Sequence, residues 1–194
     1  MRMTRTIAIA LLATVALACE QKAEQKPAQQ SSNTTETKTK PAANTAPPRP
    51  AIKQSDARVW VDAVSAAKGA AGSFKVRYYG VEEAKAMVIP LTVPSGVKID
   101  SVSYAGSMLE YIATRPVRID NDNHTVLFTA IPTSEPNIPA KEGVLATIFF
   151  TVGAGAASGA IEETFVPPGN YLTYVDTTSA LVEPQFEAGK LTVQ

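Results

Sequence analysis

The chain of 194 residues is short of the side chains that most enzymatic chemistry uses. It has one cysteine, Cys19, one histidine, His124, and one tryptophan, Trp60. A lone thiol excludes an internal disulfide framework and any site built from several cysteines. With a lone histidine, a Ser-His-Asp arrangement would have to run through His124. That residue stands in the polar stretch Asp122-Asn123-His124-Thr125 and reads as part of a surface turn. Glu162 and Glu163 offer the two carboxylates of a glycosidase, but neighbours on a strand point to opposite faces and cannot converge on one bond. The chain is therefore read as non-enzymatic. Charge of one sign is missing as well: 18 basic and 18 acidic side chains cancel, leaving no field to steer nucleic acid. No helix of convincing length is apparent. Residues 81–86 (VEEAKA) could make one helical turn and read better as a loop or the start of a strand.

The position of Cys19 is the clearest signal present. A basic start, Met1-Arg2-Met3-Thr4-Arg5, is followed by the uncharged run 6–18 (TIAIALLATVALA) and then by Cys19 and Glu20. A basic region, a short apolar region and small residues before a cut mark a secretory signal peptide over residues 1–18. The run falls short of the roughly 20 apolar residues that a membrane-spanning helix needs. Val15-Ala16-Leu17-Ala18-Cys19 resembles the lipobox of bacterial lipoproteins, although Ala16-Leu17-Ala18 also suits plain secretion after Ala18. The lipoprotein resemblance implies a diacylglyceryl group on the Cys19 sulfur, often with a third chain such as palmitate on the amine. At about 0.8 kcal/mol per buried methylene, two or three chains make attachment effectively permanent. Glu20 stands where some bacteria use Asp for inner-membrane retention, so the outer membrane is the preferred expectation. Loss of Arg2 and Arg5 leaves the mature chain two charges negative.

Residues 19–57 form the lipidated N-terminus and a tether. From Glu20 onward they are Gln, Lys, Thr, Ala, Ser, Asn, Glu and Pro with no aromatic side chain, and Ile52 is the only large aliphatic one. Such a composition buries too little apolar surface to offset its ordering entropy, and reads as a disordered spacer. Flexible-chain scaling gives it an end-to-end distance of roughly 35 Å.

From Arg58 to Gln194 short apolar runs alternate with turn residues. Runs at 58–62, 74–79, 97–104, 160–161, 171–175 and 190–193 carry strand signals; those at 86–93 (AMVIPLTV), 126–131 and 146–152 (ATIFFTV) are nearly continuously apolar. Turn signals separate them at Lys68-Gly69, Pro94-Ser95-Gly96, Asp120-Asn121-Asp122-Asn123, Lys141-Glu142-Gly143 and Pro167-Pro168-Gly169-Asn170. Many short strands at this spacing predict one all-β sandwich or barrel over residues 58–194.

The order of segments resembles a cohesin-type domain. The likeness is carried by Gly72-Ser73-Phe74-Lys75-Val76 leading into Val88-Ile89-Pro90-Leu91-Thr92-Val93, by Ile99-Asp100-Ser101-Val102-Ser103-Tyr104, and by the close Phe186-Glu187-Ala188-Gly189-Lys190-Leu191-Thr192-Val193. Its most specific piece is the Gly-x-Leu-Ala-Thr-x-x-Phe strand, Gly143 to Phe150. The resemblance implies a jelly-roll-like β-sandwich of about nine strands that binds a protein partner without catalysis, and a monomer. No dockerin repeat or second copy accompanies it, so a cellulosomal role is not implied.

Three surface features are candidates for that contact. Residues 131–139 (IPTSEPNIP) form a proline-rich segment in which Pro132, Glu135, Pro136, Asn137 and Pro139 could present a protein-contact loop, or simply connect two strands. Trp60 and Tyr79 share faces with charged neighbours, so both rings could face outward and stack on a polysaccharide, as in carbohydrate-binding modules of sandwich architecture, or be buried under loops or serve as plain surface cover. Asp120 and Asp122 have the oxygen-rich look of a weak calcium loop but lack the Gly and distal Glu of an EF-hand, and Asp-Asn runs also suit tight turns. No cofactor is expected beyond the lipid on Cys19. The expected product is a cell-envelope lipoprotein, or a secreted protein if it is not lipidated.

Overall fold

A computed structural model of the chain describes residues 52–194, so Cys19 and the signal peptide and tether expected up to residue 51 lie outside the described residues. The described part is all-β, with twelve strands and no helix. In chain order they are β1 (Lys53–Val61), β2 (Val64–Ala66), β3 (Ala71–Tyr79), β4 (Ala84–Thr92), β5 (Val97–Ser103) and β6 (Val117–Asp120). Then follow β7 (Thr125–Ala130), β8 (Glu142–Val152), β9 (Gly159–Glu163), β10 (Thr173–Asp176), β11 (Leu181–Glu187) and β12 (Gly189–Val193). Neighbours run β2-β12-β9-β4-β10-β11-β1-β3-β8-β5, with β7 on the far side of β4 and β6 beyond it.

The path folds over into two layers, a jelly-roll-like sandwich. One layer is β6-β7-β4-β10 and the other β11-β1-β3-β8-β5. Alternation decides what fills the space between them. Met87, Ile89 and Leu91 of β4, Val126 and Phe128 of β7, and Tyr174 of β10 point in from the first layer. Val59, Phe74, Val76, Tyr78, Ile148, Phe150 and Ile99 point in from the second. The Tyr78 and Tyr174 rings meet edge-on with centroids 6.5 Å apart, tying β3 to β10.

Two prolines inside strands explain local irregularities. Pro90 lies between Val88, which pairs with Thr173 of β10, and Leu91, which pairs with Glu163 of β9. Its carbonyl accepts from the Thr164 amide on that side, so its missing N–H faces the junction where the partner strand changes. Pro184 of β11 stands between Glu183 and Gln185, which pair with Gln54 and Arg58 of β1. Opposite it β1 bulges through residues 55–57, so the ladder opens where Pro184 has no donor to give.

The structure moves two expectations. Strand β1 starts at Lys53, inside the stretch whose composition reads as tether, because Lys53 and Gln54 pair with Val182 and Glu183 through their backbones. Ala57, also placed in the tether, is fully buried. The strand count rises from about nine to twelve through β2, β6 and β11, which are very short or interrupted by a proline.

The free edge of β5 is closed by a side chain. The Asn121 amide accepts from the Ile99 N–H at 2.7 Å and donates to the Ile99 carbonyl at 3.0 Å, copying the pairing a neighbouring strand would make. This holds the β6–β7 turn against β5 and blunts an edge that could otherwise pair with another chain.

Candidate functional site

The outer face of the β6-β7-β4-β10 layer is unusual for a sheet face turned to solvent. Such faces are normally polar, alternating with an apolar inner face. Here the outward positions of β4 are Ala86, Val88 and Pro90, and those of β7 include Leu127 and Thr129. Rows across the layer read Thr173-Val88-Thr129 and Pro90-Leu127-Arg118. Val175 of β10 pairs with Ala86 and with Leu181 of β11, which is 48% exposed. Val88, Thr173 and Leu181 also line a shallow depression of about 200 Å³ together with Ile52, Asn170 and Tyr171. Arg118 is the one charged side chain in those two rows. The 86–93 run is thus apolar on both faces; on the outer one Ala86 and Val88 are partly exposed, whereas Pro90 and Thr173 are buried and Arg118 donates to the Pro167 carbonyl beside the Pro90 row. The uninterrupted run was the available signal, since an exposed β-strand of one sheet layer should alternate.

The face continues into the proline-rich segment. Ile131 extends the outward row of β7, is 37% exposed, and donates its N–H to the Thr114 carbonyl at 3.0 Å. Beyond it, Glu135 is a clamp. Its carboxylate accepts from the backbone N–H groups of Ala113 at 2.8 Å, Thr133 at 2.9 Å and Ser134 at 3.1 Å. These bonds, with Ala113 first, lower its pKa to about 2. Asn137 donates from its amide to Glu83, and its carbonyl accepts from the Tyr111 hydroxyl at 2.8 Å. Ile138, fully buried, exchanges two backbone bonds with Ala84 at the start of β4. Pro132 and Pro139 are half-buried and Pro136 is exposed. The segment is an ordered connection between β7 and β8 whose shape depends on Glu135.

Because the folded pKa is depressed, this stabilisation is complete above the usual carboxylate value near 4.3 and is lost as pH falls toward 2. Glu135→Ala should therefore speed amide exchange at Ala113, Thr133 and Ser134 about ten-fold or more at neutral pH, with global unfolding little changed. Hydrogen exchange checks this, and wild-type protection at those amides should fade between about pH 4.5 and 2.

Trp60 and Tyr79 both face outward, on the opposite layer. Trp60 pairs with Arg77 across β1 and β3, and Arg58 pairs with Tyr79. Arg77 is held by Asp62 at 2.8 Å, and the Arg58 guanidinium lies 5.7 Å from the centre of the Tyr79 ring. Tyr79 is 39% exposed while Trp60 is only partly so, and the two are not on the apolar face.

The remaining candidates are engaged locally. Asp120 accepts from the Asn123 backbone and side-chain amides, which hold its pKa low, and closes the β6–β7 turn. Asp122 is exposed in the same turn. Among the described residues no group of three or more His, Cys, Asp or Glu side chains is placed to hold a metal. His124 ends the turn with φ 54°, and its carbonyl accepts from Val93 N–H and Thr92 Oγ1. Glu162 and Glu163 are consecutive in β9, opposite Thr92 and Leu91.

No protein-family profile matches the chain, and no curated protein matches it. Solved structures do. A cohesin of Acetivibrio cellulolyticus, the third of ScaC in complex with the ScaB dockerin, is similar with a TM-score of 0.59 and 19% identity, over 71% of this chain and 98% of that one. The cohesin of a type I cohesin–dockerin complex from Clostridium thermocellum gives 0.60 and 13%, over 72% and 100%. A non-cellulosomal cohesin from the archaeon Archaeoglobus fulgidus gives 0.58 and 12%, over 72% and 92%. The described domain is cohesin-like. At these identities the likeness is one of fold.

Proposed function

We propose that the chain is a membrane-anchored envelope lipoprotein whose cohesin-like domain is a non-catalytic protein-binding module. The observation that carries the reading is the apolar, partly exposed outer face of β4 and β7, whose outward row continues at exposed Ile131 beside the Glu135-clamped loop. A partly exposed apolar face that ends on the exposed side chains of Ile131 and Leu181 suits an interaction site. Two of the similar cohesins are solved in complex with dockerins, which supports a protein as the partner. The lipobox-like Val15-Ala16-Leu17-Ala18-Cys19 supports anchorage through Cys19, at the outer membrane in preference to the inner. A tether of about 35 Å would carry the domain clear of the lipid headgroups.

One experiment tests both halves. Crosslinking in native membranes followed by purification of the chain should recover a discrete protein in the membrane fraction. Cys19→Ser should move the chain, with its partner, out of that fraction or stall it as precursor. An empty pull-down counts against the binding module; an unchanged Cys19→Ser distribution with no acyl mass on the wild type counts against the anchor.

A further inference from the structure

The β1 bulge opposite Pro184 opens a second surface, on the layer away from the apolar face. Two hollows of about 450 Å³ each share Asp56, Val81 and Gln185 and so form one furrow. One end is walled by Ser55 and Glu82, the other by Arg58 and Tyr79. Its size is that of a small-ligand site, and bulges recur beside sites because they re-aim side chains and interrupt pairing.

The chemistry of the lining and of the side chains just beneath it is specific. Tyr174 reaches out of the core so that its hydroxyl donates to Glu82 Oε1 at 2.9 Å and lies 2.9 Å from Ser55 Oγ. Tyr78, fully buried, has a hydroxyl with no hydrogen-bond partner, and burial beside Tyr174 and Glu82 drives its pKa upward. The Tyr78 ring tip and hydroxyl fill the space where a Cβ on Gly80 would stand, so glycine there lets the ring pack against the backbone beneath the furrow. Farther along, Arg58 covers part of the Tyr79 ring while the ring stays 39% exposed. Lys53 and Arg58 balance Asp56 and Glu82, so the furrow has no net pull on an ion of either sign.

From these features we infer a binding site for an uncharged glycan in the furrow at the β1 bulge. A sugar ring offers an apolar C–H face for Tyr79 and adjacent hydroxyl pairs for planar carboxylate, amide and guanidinium groups, which Asp56, Gln185 and Arg58 supply. A peptide would need apolar pockets for its anchoring side chains, and the lining of Ser, Asp, Glu, Gln and Arg provides few. Trp60 does not line the furrow, so of the two candidate rings Tyr79 is the one used.

The test uses the full chain in detergent, screened against neutral oligosaccharides and then titrated calorimetrically with any that bind. Tyr79→Ala and Asp56→Ala should each weaken binding about ten-fold or more, whereas Tyr79→Phe should bind within about three-fold of wild type. Leu127→Asp, on the other layer, should leave glycan binding unchanged, which separates this site from the protein-binding face. Absence of any neutral glycan ligand overturns the inference, as does binding that survives both alanine variants in protein whose melting is unaltered.

Discussion

Replacing Phe150 by alanine is expected to destabilise the domain by about 3–5 kcal/mol, while the same change at Phe149 should cost less than about 0.5 kcal/mol. The two residues are adjacent in β8, and strand alternation sends them to opposite sides. Phe150 is 1% exposed, its ring centroid 5.8 Å from that of Phe74. Its ring tip occupies the space over Gly72, where an added Cβ would come within 2.7 Å. Removing the ring opens a cavity between two strands that the Gly72 backbone cannot fill. Phe149 is 43% exposed between Ser73 and Ser101, so its truncation returns a surface group to water. Total stabilities of single domains are about 5–15 kcal/mol, so the first variant should show a much lower urea midpoint. Equal losses at both positions would mean that β8 is one residue out of register.

How much of this was legible in the sequence depends on the distance over which each feature is determined. Period-2 alternation is local, so the strands at 74–79 and 97–104 could be read directly, whereas the outward direction of Trp60 and Tyr79 stood beside burial under loops until the structure placed them. The sandwich class followed from turn spacing and the cohesin resemblance. Strand β11 was missed because Pro184 argues against a central strand, and nothing near it announces the compensating bulge in β1, over a hundred residues earlier. The same holds for β1, whose Lys53 and Gln54 look like tether until β11 gives them backbone partners. Among site residues, the Asp-Asn run read correctly as a turn, but the bond from Asn121 to Ile99 spans 22 positions and is invisible to a local pattern. Glu135 was singled out as a contact residue on a loop. Its carboxylate is instead turned onto three backbone amides, so it acts by shaping the surface. The apolar outer face was in plain view as the 86–93 run, yet such a run reads equally well as a strand buried on both sides.

The largest functional effect should come from placing a charge in the middle of that face. Leu127→Asp is expected to weaken capture of the crosslinked partner by about 30-fold or more, the loss of at least one central apolar anchor. Leu127 points outward between Pro90 on β4 and Arg118 on β6, partly exposed and outside the core cluster, so the fold has little reason to suffer. At an interface its side chain would be desolvated, and a carboxylate there would lose its hydration beside an Arg118 that already donates to the Pro167 carbonyl. Phe149→Asp provides the control, because it puts the same charge on a more exposed apolar side chain of the opposite layer. Partner recovery should survive that change. Because apolar burial is insensitive to screening, raising the salt should alter wild-type binding only modestly, unlike an interface built on ion pairs. Loss of the partner in Phe149→Asp with full binding in Leu127→Asp would move the contact to the Trp60 and Tyr79 layer.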